Sequence, residues 1–552
     1  MQLLQPTPPP YDALEWEKLE LPRRGQEVCQ AWALQGYGAP AATYLLYVLK
    51  VALYVAGWSW WCSSTPGAGG LLRLPEWWLS PVVFQKAILW SMLFEGLGLG
   101  CGSGPLTGRY FPPIGGVLYF LRPGTTKLAM WPRLPVLGGV RRGWLEVALY
   151  VALCAVLVHA LQAPAPPRAD LLAICALVPV LGLCDRTLFL ALRAEHYWVT
   201  VGCFAFAGDW IAGAMAVQLA LWWWAGVSKL NHHFPAVVCV MISNSPVARW
   251  RGLRRAMYRA YPQDLRPSRL ATAMAHAGTA LELGIPLLLL ASAALPALGP
   301  VPLLPLALAL VLLLHTFITS NVPMGVPIEW NVMVVYGAFA LFWAHPEITV
   351  AQLGPWPLAA GLALALVAVP LAGNLWPAKI SFLPAMRYYA GNWAFSAWLF
   401  AGDSHRKLAQ LTTSAPWVGD QLARFYDRRT TVGILSKVLA FRLMHLHGRA
   451  LPVLLPRAVP SLAACEYVDG EIVAGLVLGW NFGDGHLHRE QLLAAVQAQC
   501  GFAPGELRCI FVEAQPLGGR TLRYRIVDAA QGQLEAGELA VAELRSRQPW
   551  QA

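Results

Sequence analysis

Charged residues are scarce in this chain. They make up 13% of its 552 residues, whereas hydrophobic residues make up 57%. A soluble protein usually carries about 25% charged residues, and one of this size could not hide so much apolar surface from water. The composition therefore excludes an ordinary soluble protein and predicts a protein embedded in a lipid bilayer.

Sequence signals for secretion, metal binding and nucleic-acid binding are also missing. The first 40 residues contain no apolar signal-peptide core. The eleven cysteines form no CxxC motif, which argues against structural zinc and dense disulfides. The net charge of +11 resides in loops between apolar runs, without any RNA- or DNA-reading motif. These loops favour anionic lipid headgroups over nucleic acid as the partner.

Long apolar runs predict the membrane helices, because about 20 apolar residues are needed to cross ~30 Å of hydrocarbon. Tryptophans cluster at the ends of several runs, as expected at a bilayer interface. We predict an all-α polytopic membrane bundle of about nine or ten membrane helices, some of half length, with a small C-terminal α/β or α+β soluble domain. The candidate spans are residues 41–61, 81–99, 144–161, 171–192, 210–227, 270–293, 301–319, 332–344 and 355–371.

Three segments follow from this pattern. Residues 1–40 form an amphipathic, cytoplasmic segment, residues 41–401 form the transmembrane domain, and residues 402–552 form the soluble domain. Within residues 383–401 we expect an interfacial stretch, because arginine, tyrosine and tryptophan are interspersed there. In the soluble domain we predict a helix at 489–500. The predicted strands are 472–480, 509–513, 522–527 and 533–539.

Two strongly basic loops bear on the orientation in the membrane. The positive-inside rule places both on the cytoplasmic side, and the C-terminal domain with them. This requires an even number of crossings between the loops. Our spans give three, unless residues 196–208, which are too short to span alone, also cross. The basic residues are Arg109, Arg122, Lys127, Arg133, Arg141 and Arg142 in one loop, and Arg249, Arg251, Arg254, Arg255, Arg259, Arg266 and Arg269 in the other.

Ionisable residues within apolar helices cost several kcal/mol unless they are paired or hydrated, so they mark candidate sites. Lys229 ends an aromatic-rich helix. It is either a snorkelling anchor or, with its pKa lowered by an apolar pocket, a base. Glu95, His276 and Glu282 lie in other helices. They either line a hydrated path or pair with the arginine-rich loops.

The segment Ala225-Gly-Val-Ser-Lys229-Leu-Asn231 resembles a helix of the vitamin K-dependent γ-glutamyl carboxylases and the wider horizontally transferred transmembrane-domain superfamily. Residues Glu195–Trp198 resemble that family's histidine-bearing helix start, and residues 314–331 resemble its later histidine–asparagine helix pair. The resemblance covers roughly residues 145–345. It implies that Lys229 is the base in chemistry on a lipid-soluble quinol.

The chemistry also follows from the residue types. His196 and His315 can orient or protonate a developing oxyanion, and amides can donate hydrogen bonds to it. Peptide carboxylation and another reaction on a quinol, isoprenoid or acyl substrate both remain open, and the cofactor is not determined beyond this lipid-soluble quinol. The candidate substrate-binding residues are Asp209, Asn231, Asn321, Trp330 and Asn331.

Five further motifs, spread over nearly the whole chain, resemble a family of large bacterial multi-pass membrane proteins of unknown function. This resemblance implies the bacterial inner membrane and no activity. The motifs are residues 36–40, Asp264–Arg269, Ile328–Asn331, Arg387–Trp393 and Asn481–His488.

Two HxH patterns, one at His445 and His447 and one at Asp484, His486 and His488, are the candidate metal ligands. On a strand, alternation would direct both histidines of a pattern to one face, where they could bind zinc or iron. A polar turn with exposed histidines is the favoured interpretation. We therefore predict no metal, with Asp484, His486 and His488 as the minority candidate.

The sequence favours a membrane enzyme that resembles the carboxylases and acts on a lipid-soluble substrate. Lys229 would be its base, with His196 and His315 as polar support. The alternative is a non-catalytic scaffold or assembly subunit that packs against partner membrane proteins. Convergence of Lys229, His196 and His315 in one cavity would favour the enzyme.

Overall fold

The computed structural model describes residues 2–100, 115–295, 297–321, 327–480 and 489–552. Most of these residues are helical, and one larger sheet lies in the C-terminal region. The minority metal candidate Asp484, His486 and His488 lies outside the described residues.

The longer helices are numbered here in chain order, and most of those from α2 to α12 form at apolar runs near the predicted spans. They are α1 (Leu21–Gln35), α2 (Ala41–Cys62), α3 (Pro81–Gly96), α4 (Trp144–Gln162), α5 (Arg168–Cys184), α6 (Tyr197–Phe206), α7 (Ile211–Ser228), α8 (Phe234–Asn244), α9 (Arg269–Ala294), α10 (Leu303–Thr319), α11 (Ile328–Trp343) and α12 (Trp356–Leu375). The C-terminal region adds α13 (Arg428–Met444), α14 (Gly470–Leu478) and α15 (Arg489–Cys500). Shorter helices lie at Ala13–Trp16, Leu74–Trp77, Gly115–Phe120, Arg186–Ala191, Arg251–Ala256, Val418–Ala423, Leu451–Ala458 and Val541–Ser546.

Five helices within the described residues are long and apolar enough to cross a membrane: α2, α4, α7, α9 and α12. One further pair of helices is long and apolar enough only when the two are taken together, and the chain bends by 97° between them. The pair is Arg428–Met444 and His447–Ala458. In α7, 78% of the spanning window is buried, whereas the corresponding share in α2 is 11%. Helix α7, which ends next to Lys229, is therefore the most enclosed of the five.

Hydrogen bonds between loops show which helix ends lie together. After α7, the Asn231 side chain bonds to Pro516 and Gly518 of the C-terminal region. In α12, the Asn374 carbonyl accepts a hydrogen bond from Leu517 N. We call this end of the bundle the C-terminal face. At the opposite face, Arg168 at the start of α5 donates to the Ala205 carbonyl near the end of α6 (3.2 Å).

Both basic loops contact the C-terminal region. Arg141 donates to Gln499 (2.9 Å), and Leu265 N donates to the Gln548 side chain (2.9 Å). Between these loops the short helix α6 also runs from the C-terminal face to the opposite face. Four of the helices between the loops, α4, α5, α6 and α7, run between the faces, and two of them, α4 and α7, are long and apolar enough to cross a membrane.

The C-terminal sheet is antiparallel and has the strand order β6-β5-β7-β8-β9. Its strands are β5 (Phe395–Ala401), β6 (Cys465–Asp469), β7 (Leu507–Val512), β8 (Thr521–Asp528) and β9 (Gly532–Ala540). Two short hairpins precede it, formed by β1 (Tyr258–Ala260) with β2 (Asp264–Pro267), and by β3 (Ala297–Leu298) with β4 (Val301–Pro302). The N-terminal helix α1 packs against α13 and so joins the C-terminal region.

Three predicted strands and the predicted helix α15 are confirmed as β7, β8, β9 and Arg489–Cys500. The predicted strand at 472–480 is wrong, because Gly470–Leu478 is a helix whose start is capped by Asp469. The stretch predicted as interfacial, 383–401, instead contains the buried strand β5. The sheet therefore begins before the predicted domain boundary at residue 402.

Because β5 lies between β6 and β7, a fragment of residues 403–552 lacks a central strand of the sheet. We expect this fragment to show no cooperative thermal unfolding, since β6 and β7 would expose unpaired backbone and apolar side chains. Circular dichroism during heating checks this. A soluble fragment with a cooperative, sheet-rich melting transition would contradict it.

Candidate functional site

Buried polar side chains gather at the C-terminal face of the bundle. They come from the ends of α3, α7 and α10, from the starts of α6 and α11, from the middle of α9 and from the segment 386–389 before β5. Each is at most 9% exposed. We call this group the polar core: Glu95, Arg193, Glu195, His196, Tyr197, Lys229, Glu282, His315, Glu329, Trp330, Asn331 and Tyr388.

Lys229 follows the last turn of α7 and forms a buried ion pair with Glu282 of α9. Its ammonium group also donates to the carbonyl oxygens of Ala225 (3.3 Å) and Tyr388 (3.4 Å) and lies 5.2 Å from the centre of the Phe234 ring. A snorkelling lysine would direct its charge toward water. This one is instead satisfied entirely inside the protein.

His315 in α10 is held by two side chains. The indole Nε1 of Trp222 donates to His315 Nε2 (3.0 Å), and His315 Nδ1 lies 2.8 Å from Asn331 Oδ1. Because an indole N–H can only donate, Nε2 must be the acceptor and Nδ1 carries the proton. His315 is therefore a neutral imidazole whose two nitrogens are both engaged, and it positions α10 against α7 and α11.

Trp330 connects the two halves of the polar core. Its ring lies 4.9 Å from the Tyr388 ring and 6.1 Å from the His196 ring, and the Arg193 guanidinium lies 5.7 Å from its centre. Tyr388 in turn donates its hydroxyl to Glu195 (3.3 Å). The next residue after Trp330 in α11 holds His315, so α11 links His196 with His315.

Several buried atoms of the polar core have no hydrogen-bond partner among the described residues. They are His196 Nδ1, Tyr197 Oη, Trp330 Nε1 and Glu195 Oε2. Buried polar groups in native proteins are almost always hydrogen-bonded, so each exception calls for a cause. The four atoms lie in neighbouring side chains, where an ordered water or a polar group of another molecule would satisfy them.

The backbone around the polar core adopts left-handed conformations at non-glycine residues. Arg193 has φ +51°, Met386 has φ +51° and Tyr389 has φ +23°. Such conformations cost on the order of 1–3 kcal/mol and gather at ligand-binding and active sites. Nearby, Gly391 has φ +73°, and a Cβ atom there would overlap Val237 Cγ2 of α8.

The structure joins the three predicted catalytic residues through shared neighbours. Lys229 contacts the Tyr388 backbone, the Tyr388 ring packs on Trp330, and Trp330 packs on His196. His315 joins through Asn331. Trp330 and Asn331, both predicted to bind substrate, thus lie within the polar core.

The other predicted substrate-binding residues lie elsewhere. Asp209 is exposed in the turn between α6 and α7, where it caps Ile211 N. Asn231 bonds to the C-terminal region. Asn321 is buried, but its amide donates to Phe317 O within α10 (2.7 Å).

The exposed-turn prediction for His445 and His447 is wrong, because they are 4% and 2% exposed. They flank a break after α13, where His445 Nδ1 bonds to Phe441 O (2.6 Å) and His447 Nδ1 to Trp393 O (3.1 Å). No group of three or more metal-binding side chains is found within the described ranges.

The whole chain, residues 1–552, matches the model of one family, described as transmembrane protein of unknown function (DUF3556). The chain belongs to this family. Membership confirms the predicted transmembrane protein and places it in a bilayer, and it assigns no reaction. No curated protein and no solved structure matches the chain. The carboxylase-like resemblance stays a prediction.

Sequence reasoning did not assign Arg193, Glu195, Glu329 and Tyr388 to a site. All four nevertheless lie in or beside short motifs on which the family resemblances rest. These motifs are Glu195–Trp198, Ile328–Asn331 and Arg387–Trp393. Glu95 and Glu282 were noted as intramembrane acids, but neither pairs with a described arginine of the two basic loops. Their partners are Arg193, at 3.5 Å from Glu95, and Lys229.

Replacing Asn331 with Leu should destabilise the protein by about 1–3 kcal/mol, because it leaves the buried His315 N–H without an acceptor. Asn331→Gln keeps an amide acceptor and donor without adding a charge and should be milder. Thermal unfolding of the purified variants in detergent checks both. Equal melting temperatures for Asn331→Leu and wild type would contradict the assigned hydrogen bond.

Proposed function

We propose that this protein is a membrane-embedded enzyme that acts on a lipid-soluble substrate at the polar core. The observation that supports this most is the set of buried, unpartnered atoms on His196, Tyr197 and Trp330 beside buried ion pairs. The burial of such atoms costs free energy unless a partner is supplied. A substrate that enters from the bilayer would supply their partners.

The arrangement favours a substrate with an oxygen atom at its polar end. Trp330 Nε1 can only donate a hydrogen bond, whereas the Tyr197 hydroxyl can donate or accept. A carbonyl or hydroxyl oxygen, as in a quinol or an isoprenoid alcohol, would satisfy both. The surrounding apolar helices suit the hydrocarbon part of such a molecule.

Lys229 acts as the base in this proposal, and Glu282 has a defined role beside it. An ammonium group cannot accept a proton, so Lys229 must first release its own. Glu282 is in contact and is the acceptor for that proton. The neutral amine then takes a proton from the substrate, and His196 lies near the oxyanion that develops. This chemistry is consistent with the predicted carboxylase-like class.

Lys229→Ala should abolish the activity, and it should also destabilise the fold by about 3–5 kcal/mol because Glu282 is left buried and unpaired. Two further variants separate these effects. Lys229→Met with Glu282→Leu removes both charges and should restore stability but not activity. Lys229→Arg keeps the ion pair but cannot act as a base.

Complementation of the phenotype that follows loss of the gene provides the readout, with the amount of membrane-inserted protein measured in parallel. We expect all three variants to fail and the double variant to accumulate normally. Full complementation by Lys229→Arg would rule out Lys229 as the catalytic base and would favour a non-catalytic scaffold.

We further propose that the C-terminal face lies on the cytoplasmic side of the bacterial inner membrane. Five exposed arginines surround the β1–β2 hairpin, and none forms a salt bridge with a described acidic residue, whereas exposed arginines elsewhere commonly do. Exposed Trp250 lies among them. This combination suits anionic headgroups on the cytoplasmic leaflet. The arginines are Arg249, Arg251, Arg255, Arg259 and Arg269.

Labelling of introduced cysteines tests this orientation. Gln531→Cys lies in the exposed β8–β9 turn, and Ser63→Cys lies at the opposite face. In intact cells a membrane-impermeant maleimide should label Ser63→Cys above the level of the parent protein and leave Gln531→Cys unlabelled. The reverse labelling pattern would contradict the proposed orientation and place the C-terminal face outside the cytoplasm.

A further inference from the structure

Two of the four unpartnered atoms in the polar core can form a hydrogen bond in one direction only. The indole Nε1–H of Trp330 can only donate, and the Oε2 atom of an ionised Glu195 can only accept. The other two, Tyr197 Oη and His196 Nδ1, act as donor or acceptor according to rotamer or tautomer. Trp330 and Glu195 are therefore the residues that restrict the chemistry of a bound group.

The contacts of Glu195 favour its ionised form. The Tyr388 hydroxyl donates to Glu195 Oε1 (3.3 Å), and Nη1 of Arg193 lies 4.0 Å from the same oxygen. A donated hydrogen bond and a nearby cation both stabilise a carboxylate over the protonated acid. Both contacts use Oε1, so Oε2 remains a buried, negatively charged acceptor without a partner.

Tyr388 and Arg193 bring Glu195 and Trp330 into one neighbourhood. Glu195 lies in the turn before α6, whereas Trp330 lies in the first turn of α11. The Tyr388 hydroxyl bonds to Glu195 while its ring packs 4.9 Å from the Trp330 ring. The Arg193 guanidinium lies 5.7 Å from the Trp330 ring centre and also contacts Glu195. A single small polar group is therefore within reach of both side chains.

A hydroxyl group satisfies both atoms at once. Its oxygen accepts a hydrogen bond from Trp330 Nε1, and its hydrogen bonds to Glu195 Oε2. A carbonyl or ether oxygen only accepts, so it leaves Glu195 Oε2 unpaired, and an unpaired charged group costs more than a neutral one. An ammonium group only donates and leaves Trp330 Nε1 unpaired, whereas a carboxylate or phosphate is repelled by Glu195.

We propose that the polar core recognises its lipid-soluble substrate by a free hydroxyl group, and that Glu195 determines this specificity. The inference rests on the proposed function, because it takes the polar core as the place where that substrate binds. It narrows the substrate to the hydroxyl-bearing class, the alcohols and quinols. Aldehydes, quinones and ethers of the same hydrocarbon chain are rejected, since none of them can donate a hydrogen bond to Glu195.

Equilibrium binding of three probes with the same C15 chain tests the specificity. The probes are farnesol, farnesyl methyl ether and farnesal, and the amounts bound to the full-length protein in lipid nanodiscs are measured by mass spectrometry. Empty nanodiscs correct for partition into lipid. Wild type should bind farnesol about 10- to 100-fold more tightly than the ether or the aldehyde, because a hydrogen bond to a charged group contributes about that factor.

Three variants assign this preference to its residues. Glu195→Gln should bring the ratio of alcohol to ether affinity close to one, since an amide group can also donate to an ether oxygen. Trp330→Phe should weaken both probes and keep the ratio, since both probes accept from the indole. Glu146→Gln, whose carboxylate pairs with Lys127 at a separate buried site, is the control and should change neither affinity.

The outcomes separate this inference from the proposed function. Equal binding of the alcohol and the ether by wild type overturns hydroxyl recognition, and so does an unchanged ratio in Glu195→Gln. Binding of no probe above the empty nanodiscs also overturns it and indicates an ordered water at the unpartnered atoms. Failure of the Lys229 base would appear separately, as full complementation by Lys229→Arg with the preference for the alcohol intact.

Discussion

The pairing of charges inside an apolar helix bundle is the constraint on which the rest of this structure depends. Each buried carboxyl group near the C-terminal face must meet a cation, a proton or a hydrogen-bond donor, because hydrocarbon offers no water to solvate it. The ion pair of Lys229 with Glu282 fixes α7 against α9, and Arg193 holds the end of α3 close to the start of α6. These contacts join the end of α7 to the middle of α9 and the end of α3 to the turn before α6.

The segment Arg387–Trp393 connects the buried charges of the polar core to the C-terminal region. Tyr388 contacts Lys229 and Glu195 on the side of the bundle. Four residues later, Asn392 exchanges two hydrogen bonds of 2.8 Å with the backbone of Gln515 beyond β7. The strand β5 follows directly. The sheet therefore closes the end of the polar core, and the site and the C-terminal region form one structural unit.

Much of the fold could be predicted from the sequence, because apolar runs and alternating strands are local patterns. The helix at Gly470–Leu478 was misread since a short apolar run looks the same in a buried strand and a buried helix. Strand β5 was missed because its aromatic residues resemble an interfacial stretch. Lys229 could be recognised from its position, but Glu282 lies 53 residues away and only helix packing brings the two together. The sequence did not show that Asp209 lies outside the polar core, because a carboxylate that caps an exposed helix start looks like a buried one in sequence.

Identification of the molecules that co-purify with the protein tests the central claim most directly. We predict that an organic extract of wild-type protein contains one lipid-soluble, oxygen-bearing compound in near-stoichiometric amount by mass spectrometry. The compound should be strongly reduced in a variant that carries both His196→Leu and Trp330→Phe, which removes two of the unpartnered nitrogens. Identical extracts from wild type and this variant, containing only bulk phospholipids, would contradict a substrate-binding site in the polar core.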